Sequence, residues 1–233
     1  MTELVISRFS GVYGVPEAAN YLSHTQPFMN GNSISTEKLR YWIQTSVPVI
    51  HPPELPIPRH LISFNDLISM RMVAIMRSRN VKLKDIRKAE RYIRQKFGIK
   101  YPFINKEVWT FGSDVFIKLE NYLLSASKYG QQAMAFLTEW IQRVELDMSF
   151  DRDNFVESWN PFSDIVLDPK VQIGRPCILG TRIPSRSIYR KLRAGDTSTI
   201  LADLYNIDVS QIEHVIQWEQ RLEHDGKKSP LLT

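Results

Sequence analysis

Lys38, Arg40 and Tyr41 stand together in the segment Ser35-Thr-Glu-Lys-Leu-Arg-Tyr-Trp42. Leu39, Trp42 and Ile43 recur at helical spacing and form one apolar stripe. With that stripe buried, the cationic and phenolic groups point elsewhere. A short helix with a basic, aromatic open face is what a reader of a DNA groove needs. An ordinary charged surface helix fits the same eight residues.

Other reactive residue types are dispersed. His24, His51, His60, His214 and His224 are scattered, and no HExxH, CxxC, phosphate-binding glycine loop or GxSxG motif occurs. Cys177 is the only cysteine; beside Pro176 in an apolar turn, it reads as a buried structural thiol rather than a nucleophile. Asp147, Asp151 and Asp153 are spaced like part of a calcium loop but lack its glycine and distal glutamate, so they read as solvated acids. No catalytic residue, metal site or cofactor is expected, and the chain does not read as an enzyme.

The elements that must position these groups come from 233 residues, enough for one large or two small domains. One cysteine excludes an internal disulfide and fits a reducing compartment. No long apolar run follows Met1, so neither a signal peptide nor a membrane span is expected, and the expected location is the cytoplasm. Charge is unevenly distributed. From Arg59 to Lys106, thirteen Lys and Arg face three acids; from Glu139 to Asp168, eight acids face two arginines. The basic block fits a partner made of phosphates. The acidic block reads first as solvated helix and loop faces.

Pro16 opens a helix with Ala18, Ala19 and Leu22 inside, and a polar loop follows from Ser23 to Ser33. Ser35 caps the next helix. Four prolines between Ile50 and Leu61, Pro52, Pro53, Pro56 and Pro58, predict an extended wing. Ser63 begins a long helix that stops near Asn80, and another runs from about Lys82 to Phe97, ended by Gly98. A β-hairpin is predicted around Gly112-Ser-Asp114, a helix over 131–144, a strand over 144–150 and a linker from Asp151 to Pro161. A turn-rich segment and three helices, 185–194, 197–205 and 209–223, complete the chain. In the last two, Ala202, Asn206, Ile212 and Val215 stand at the spacing of a helix-turn-helix: a small crossing residue, a left-handed turn and two core positions. Glu213 and the lack of Lys or Arg before Arg221 argue against groove reading by that second helix.

In its N-terminal hundred residues the chain resembles the MerR family of regulators. The resemblance lies in Tyr13-Gly-Val-Pro-Glu-Ala-Ala, Leu39-Arg-Tyr-Trp42, Ser63-Phe-Asn-Asp-Leu67 and Leu83-Lys-Asp-Ile86. It implies that Thr36, Lys38, Arg40 and Tyr41 approach bases and phosphates, and that Arg59 and His60 in the wing approach the flanking backbone. Asp168-Pro169, Gly174-Arg-Pro-Cys-Ile178 and Gly180-Thr-Arg-Ile-Pro184, with the three helices, resemble the domain-of-unknown-function family 433 of VapBC-like antitoxins. That resemblance implies an autorepressor that also masks a PIN-like ribonuclease toxin.

The expected fold is therefore mainly α with small β elements. It comprises a MerR-like winged helix-turn-helix over 1–106, a connector over 107–161, a trihelical domain with short strands over 162–225 and a flexible tail over 226–233. The expected partners are operator DNA, the toxin and a second copy of the chain, because palindromic sites favour symmetric readers. The toxin-masking surface is placed either at Arg182, Arg186 and Arg190 or in the stretch from Asp151 to Trp159. A free-standing regulator without a toxin and a protein-binding adaptor remain as alternatives.

Overall fold

A computed structural model describes residues 11–25, 34–44, 49, 61–78, 81–99, 101–106, 108 and 147–226. The predicted wing, Asn80, the hairpin around Gly112 and the helix over 131–144 lie outside the described residues. Those described form seven α-helices and two small antiparallel sheets, so the chain is mainly α with small β elements.

Strand β1 (Val12–Gly14) leads directly into helix α1 (Val15–Ser23), with Pro16 in its first turn. The Gly14 N–H donates to Glu17 Oε2, satisfying one of the orphan donors of the helix start. Helix α2 (Thr36–Gln44) follows and packs on α1. As expected, Ser35 caps it: its Oγ accepts from the Lys38 N–H at 3.2 Å. Strand β2 (Leu61–Ser63) pairs antiparallel with β1, Tyr13 opposite Ile62.

Helix α3 (Phe64–Ser78) is buried on every side from Phe64 to Met76, the signature of a central helix. Ser63 and Asp66 close its first turn reciprocally. Ser63 Oγ accepts from the Asp66 N–H, while Asp66 Oδ2 accepts from the Ser63 N–H and hydroxyl. Helix α4 (Leu83–Phe97) is amphipathic, with Ile86, Ala89 and Ile93 inside, and ends at Gly98 in the left-handed conformation.

Burial holds the Asp66 carboxyl at about 6 against an ordinary 3.8, outweighing the Ser63 hydrogen bonds that pull it down. Between those two values the folded chain keeps a proton that the unfolded chain has released, so this group makes stability fall as pH rises through that window. Asp66→Asn is expected to remove that decline. The stability difference between wild type and variant should change by roughly 2–3 kcal/mol across the window, read from urea denaturation at stepped pH. Parallel curves for the two proteins would refute the assignment.

The C-terminal sheet has the order β3-β4-β5-β6, built from Met148–Phe150, Val156–Phe162, Ile165–Leu167 and Cys177–Ile178. The stretch from Asp151 to Pro161 is thus not a linker. Asp151 Oδ1 accepts from the N–H groups of Asp153 and Phe155, making a tight turn, and β4 follows. The boundary expected at 161/162 falls inside that strand. Pairing of β4 shifts register against both neighbours; such bulges break the two-residue alternation by which a strand is recognised. Three helices complete the fold: α5 (Ser185–Arg193), α6 (Ser198–Tyr205) and α7 (Val209–Gly226).

Both parts of the chain share one hydrophobic core. The Tyr13 hydroxyl donates to the Gly174 carbonyl at 2.9 Å. Gly174 has φ +82, and a Cβ there would lie 2.2 Å from the Tyr13 oxygen, so only glycine permits this approach. The Asn20 amide reaches the Leu222 carbonyl, and the Tyr21 ring packs on Trp218.

Candidate functional site

Helix α2 separates its residues as its period dictates. Leu39 and Trp42 are buried against α1, whereas Lys38 and Arg40 are exposed and Tyr41 is 57% exposed. Thr36 is half-buried one turn before Arg40, about 6 Å along the axis. Glu37 shares this first turn. Its carboxyl is held below the usual range by its own backbone N–H, by the Ser35 hydroxyl and by Arg40. An ionised Glu37 favours the helix start, and Lys38 and Arg40 are the exposed cations beside it. Arg59 and His60 lie outside the described residues.

A second cationic row stands on α4, where Lys84, Lys88 and Arg91 are exposed at spacings of four and three residues, hence on one face. It accounts for part of the basic block. Arg71, also counted there, is 2% exposed in the middle of α3. Its two terminal nitrogens donate to Asp147 at 3.3 and 2.6 Å, and its guanidinium lies 4.8 Å from the Trp159 ring centroid.

The two alternative sets assigned to toxin masking differ in exposure. Trp159 is fully buried on the inner side of β4 beneath Arg71, so it offers nothing to a partner. Asp151 is engaged in its own turn. Arg182, Arg186 and Arg190 are all exposed, and Arg186 pairs with Glu219 and Glu223. Glu219 is itself buried and accepts from the Ser185 hydroxyl at 2.5 Å, tying α5 to α7.

Ala202 is buried, Asn206 is left-handed at φ 52, and Ile212 and Val215 are fully buried. Cys177 is 1% exposed, with desolvation pushing its thiol up to about 11; a thiol so placed is protonated and inert at neutral pH. Sequence reasoning missed the Asp164–His214 contact at 2.6 Å, whose partners are fifty residues apart. It also missed Ile200 and Leu204, exposed on the outer side of α6; their four-residue spacing, opposite Leu201 and Ala202, was the available signal. Among the described residues, no group of His, Cys, Asp and Glu is arranged to hold a metal ion, and no helix is long and apolar enough to cross a membrane.

Residues 165–218 match the model of the family described as protein of unknown function DUF433. No curated protein matches the chain. Among solved structures, the chain is similar to Rv2018 from Mycobacterium tuberculosis, with a TM-score of 0.70 at 20% identity over 88% of this chain and 96% of that one. At that identity the likeness concerns the fold.

Proposed function

We propose that the protein is a DNA-binding antitoxin. In this reading it represses its own operon through a MerR-like helix-turn-helix formed by α1 and α2. It also neutralises a PIN-like ribonuclease encoded beside it, and acts as a homodimer in the cytoplasm. The observation that carries the DNA half is the outward face of α2, where Lys38, Arg40 and Tyr41 are open to a duplex while Leu39 and Trp42 anchor the helix. The toxin half draws on the C-terminal family match at 165–218 and on the resemblance of that family to antitoxins.

Gel shifts on the promoter upstream of the gene test the DNA half. Each cation on α2 neutralises phosphate charge, so binding should weaken steeply with salt. Lys38→Ala and Arg40→Ala should each lower affinity about 10-fold and reduce the salt slope by about 1. Binding that is absent, or indifferent to salt, defeats this half and favours a protein-binding adaptor. Co-expression with the neighbouring reading frame tests the other half: a stable complex that abolishes the neighbour's toxicity is expected, and its failure leaves a free-standing regulator.

A further inference from the structure

From Ala194 to Gln220 the chain contains no Lys or Arg. Five acids stand there, and one, Glu219, is buried against Ser185 and Arg186. The other four, Asp196, Asp203, Asp208 and Glu213, are exposed, and among the described residues none of them makes an ion pair. Between these carboxylates α6 presents Ile200 at 57% and Leu204 at 65% exposure, one turn apart. Its opposite side already buries Leu201 and Ala202 in the core. Among the described residues, helix α6 is therefore apolar on two sides with only one of them covered, and Val209 at the start of α7 is 41% exposed. Single exposed leucines are ordinary; here two exposed apolar side chains share one helix face in a segment whose exposed charges are all carboxylates.

The rim decides what docks. Four carboxylates repel the phosphates of nucleic acid and of anionic membranes. A second copy fits no better, since a two-fold contact brings the same patch against itself and sets carboxylate against carboxylate. The complementary surface belongs to another protein and presents an apolar contact ringed by Lys and Arg. We infer that the outer face of α6 and the start of α7 dock a cationic protein surface, anchored by Ile200 and Leu204 and steered by Asp203 and Glu213. Resting on the antitoxin reading, that surface is the RNA-binding side of the ribonuclease, which must be cationic to hold phosphates. Docking there excludes RNA by occupying its site.

The test uses the full chain and the purified product of the neighbouring reading frame, with affinity measured by calorimetry. Two double variants are compared with wild type: Ile200→Ser with Leu204→Ser, and Asp203→Lys with Glu213→Lys. Each should weaken the complex at least ~10-fold. Because all four side chains are exposed, thermal midpoint and promoter binding should stay at wild-type values, which separates lost docking from lost folding. Full affinity in either double variant overturns the docking face and leaves the antitoxin reading standing. A wild-type chain that forms no complex overturns both. If light scattering shows the serine variant dissociating a dimer of this chain, the face belongs to a second copy and the inference is overturned.

Discussion

Trp218→Ala is expected to cost about 3–5 kcal/mol of folding stability and to weaken the N-terminal and C-terminal parts together. Trp218 is fully buried on α7. Its ring lies 5.9 Å from that of Tyr21 on α1 and 6.3 Å from that of Phe162 on β4. Truncation removes both aromatic contacts and leaves a cavity where α1 and β4 meet α7. Arg221, 4.3 Å over the outer Phe162 ring, and Asn20, bonded to the Leu222 carbonyl, belong to the same seam. The chain should therefore unfold as one unit. In urea, far-ultraviolet dichroism and tryptophan fluorescence should trace coincident transitions, both shifted by the substitution. Two resolved transitions in the wild-type protein, or a loss below about 1 kcal/mol in the variant, would falsify the shared core.

That seam explains how far the sequence could be read. Local signals were sound where the chain makes its contacts with itself over short spans. Gly98 and Asn206 adopt the left-handed conformation their types favour, Ser35 caps α2, and the last three helices lie within a few residues of their expected ends. Contacts across long spans were invisible. Nothing near Tyr13 announces Gly174, 161 residues away, and nothing near Tyr21 announces Trp218. Strand β4 was lost for a different reason: its bulges place Val156 and Trp159 inside, three residues apart, so no alternation survives in the sequence.

The charge count was a sound guide only to residues that reach solvent. It placed Arg71 with the phosphate-seeking cations and Asp147 with the solvated acids, whereas the structure sets them against each other. The open face of α2 was the most legible part of the candidate site, because a stripe of Leu39 and Trp42 fixes which residues lie opposite. The face of α6 was the least legible, since Ile200 and Leu204 look like core residues in any count of apolar positions.

The Arg71–Asp147 pair should respond unequally to loss of its two members. Arg71 is 2% exposed and Asp147 31%, so only one charge can turn to water when its partner disappears. Asp147→Asn keeps the size of the side chain but leaves a guanidinium in the core without the carboxylate set against it. That variant should lose about 2–3 kcal/mol, the cost of a lost hydrogen bond to a charged group in the core. Arg71→Met fills much of the same volume with an apolar chain and leaves Asp147 partly hydrated. It should lose about 1–2 kcal/mol, chiefly through the lost contact with Trp159. The double variant, with no charge left to desolvate, should be more stable than Asp147→Asn alone. Urea midpoints of the three proteins decide the matter. An inverted order, with Arg71→Met the worse single change, would mean that the guanidinium serves mainly as packing over Trp159 and that its charge is satisfied without Asp147.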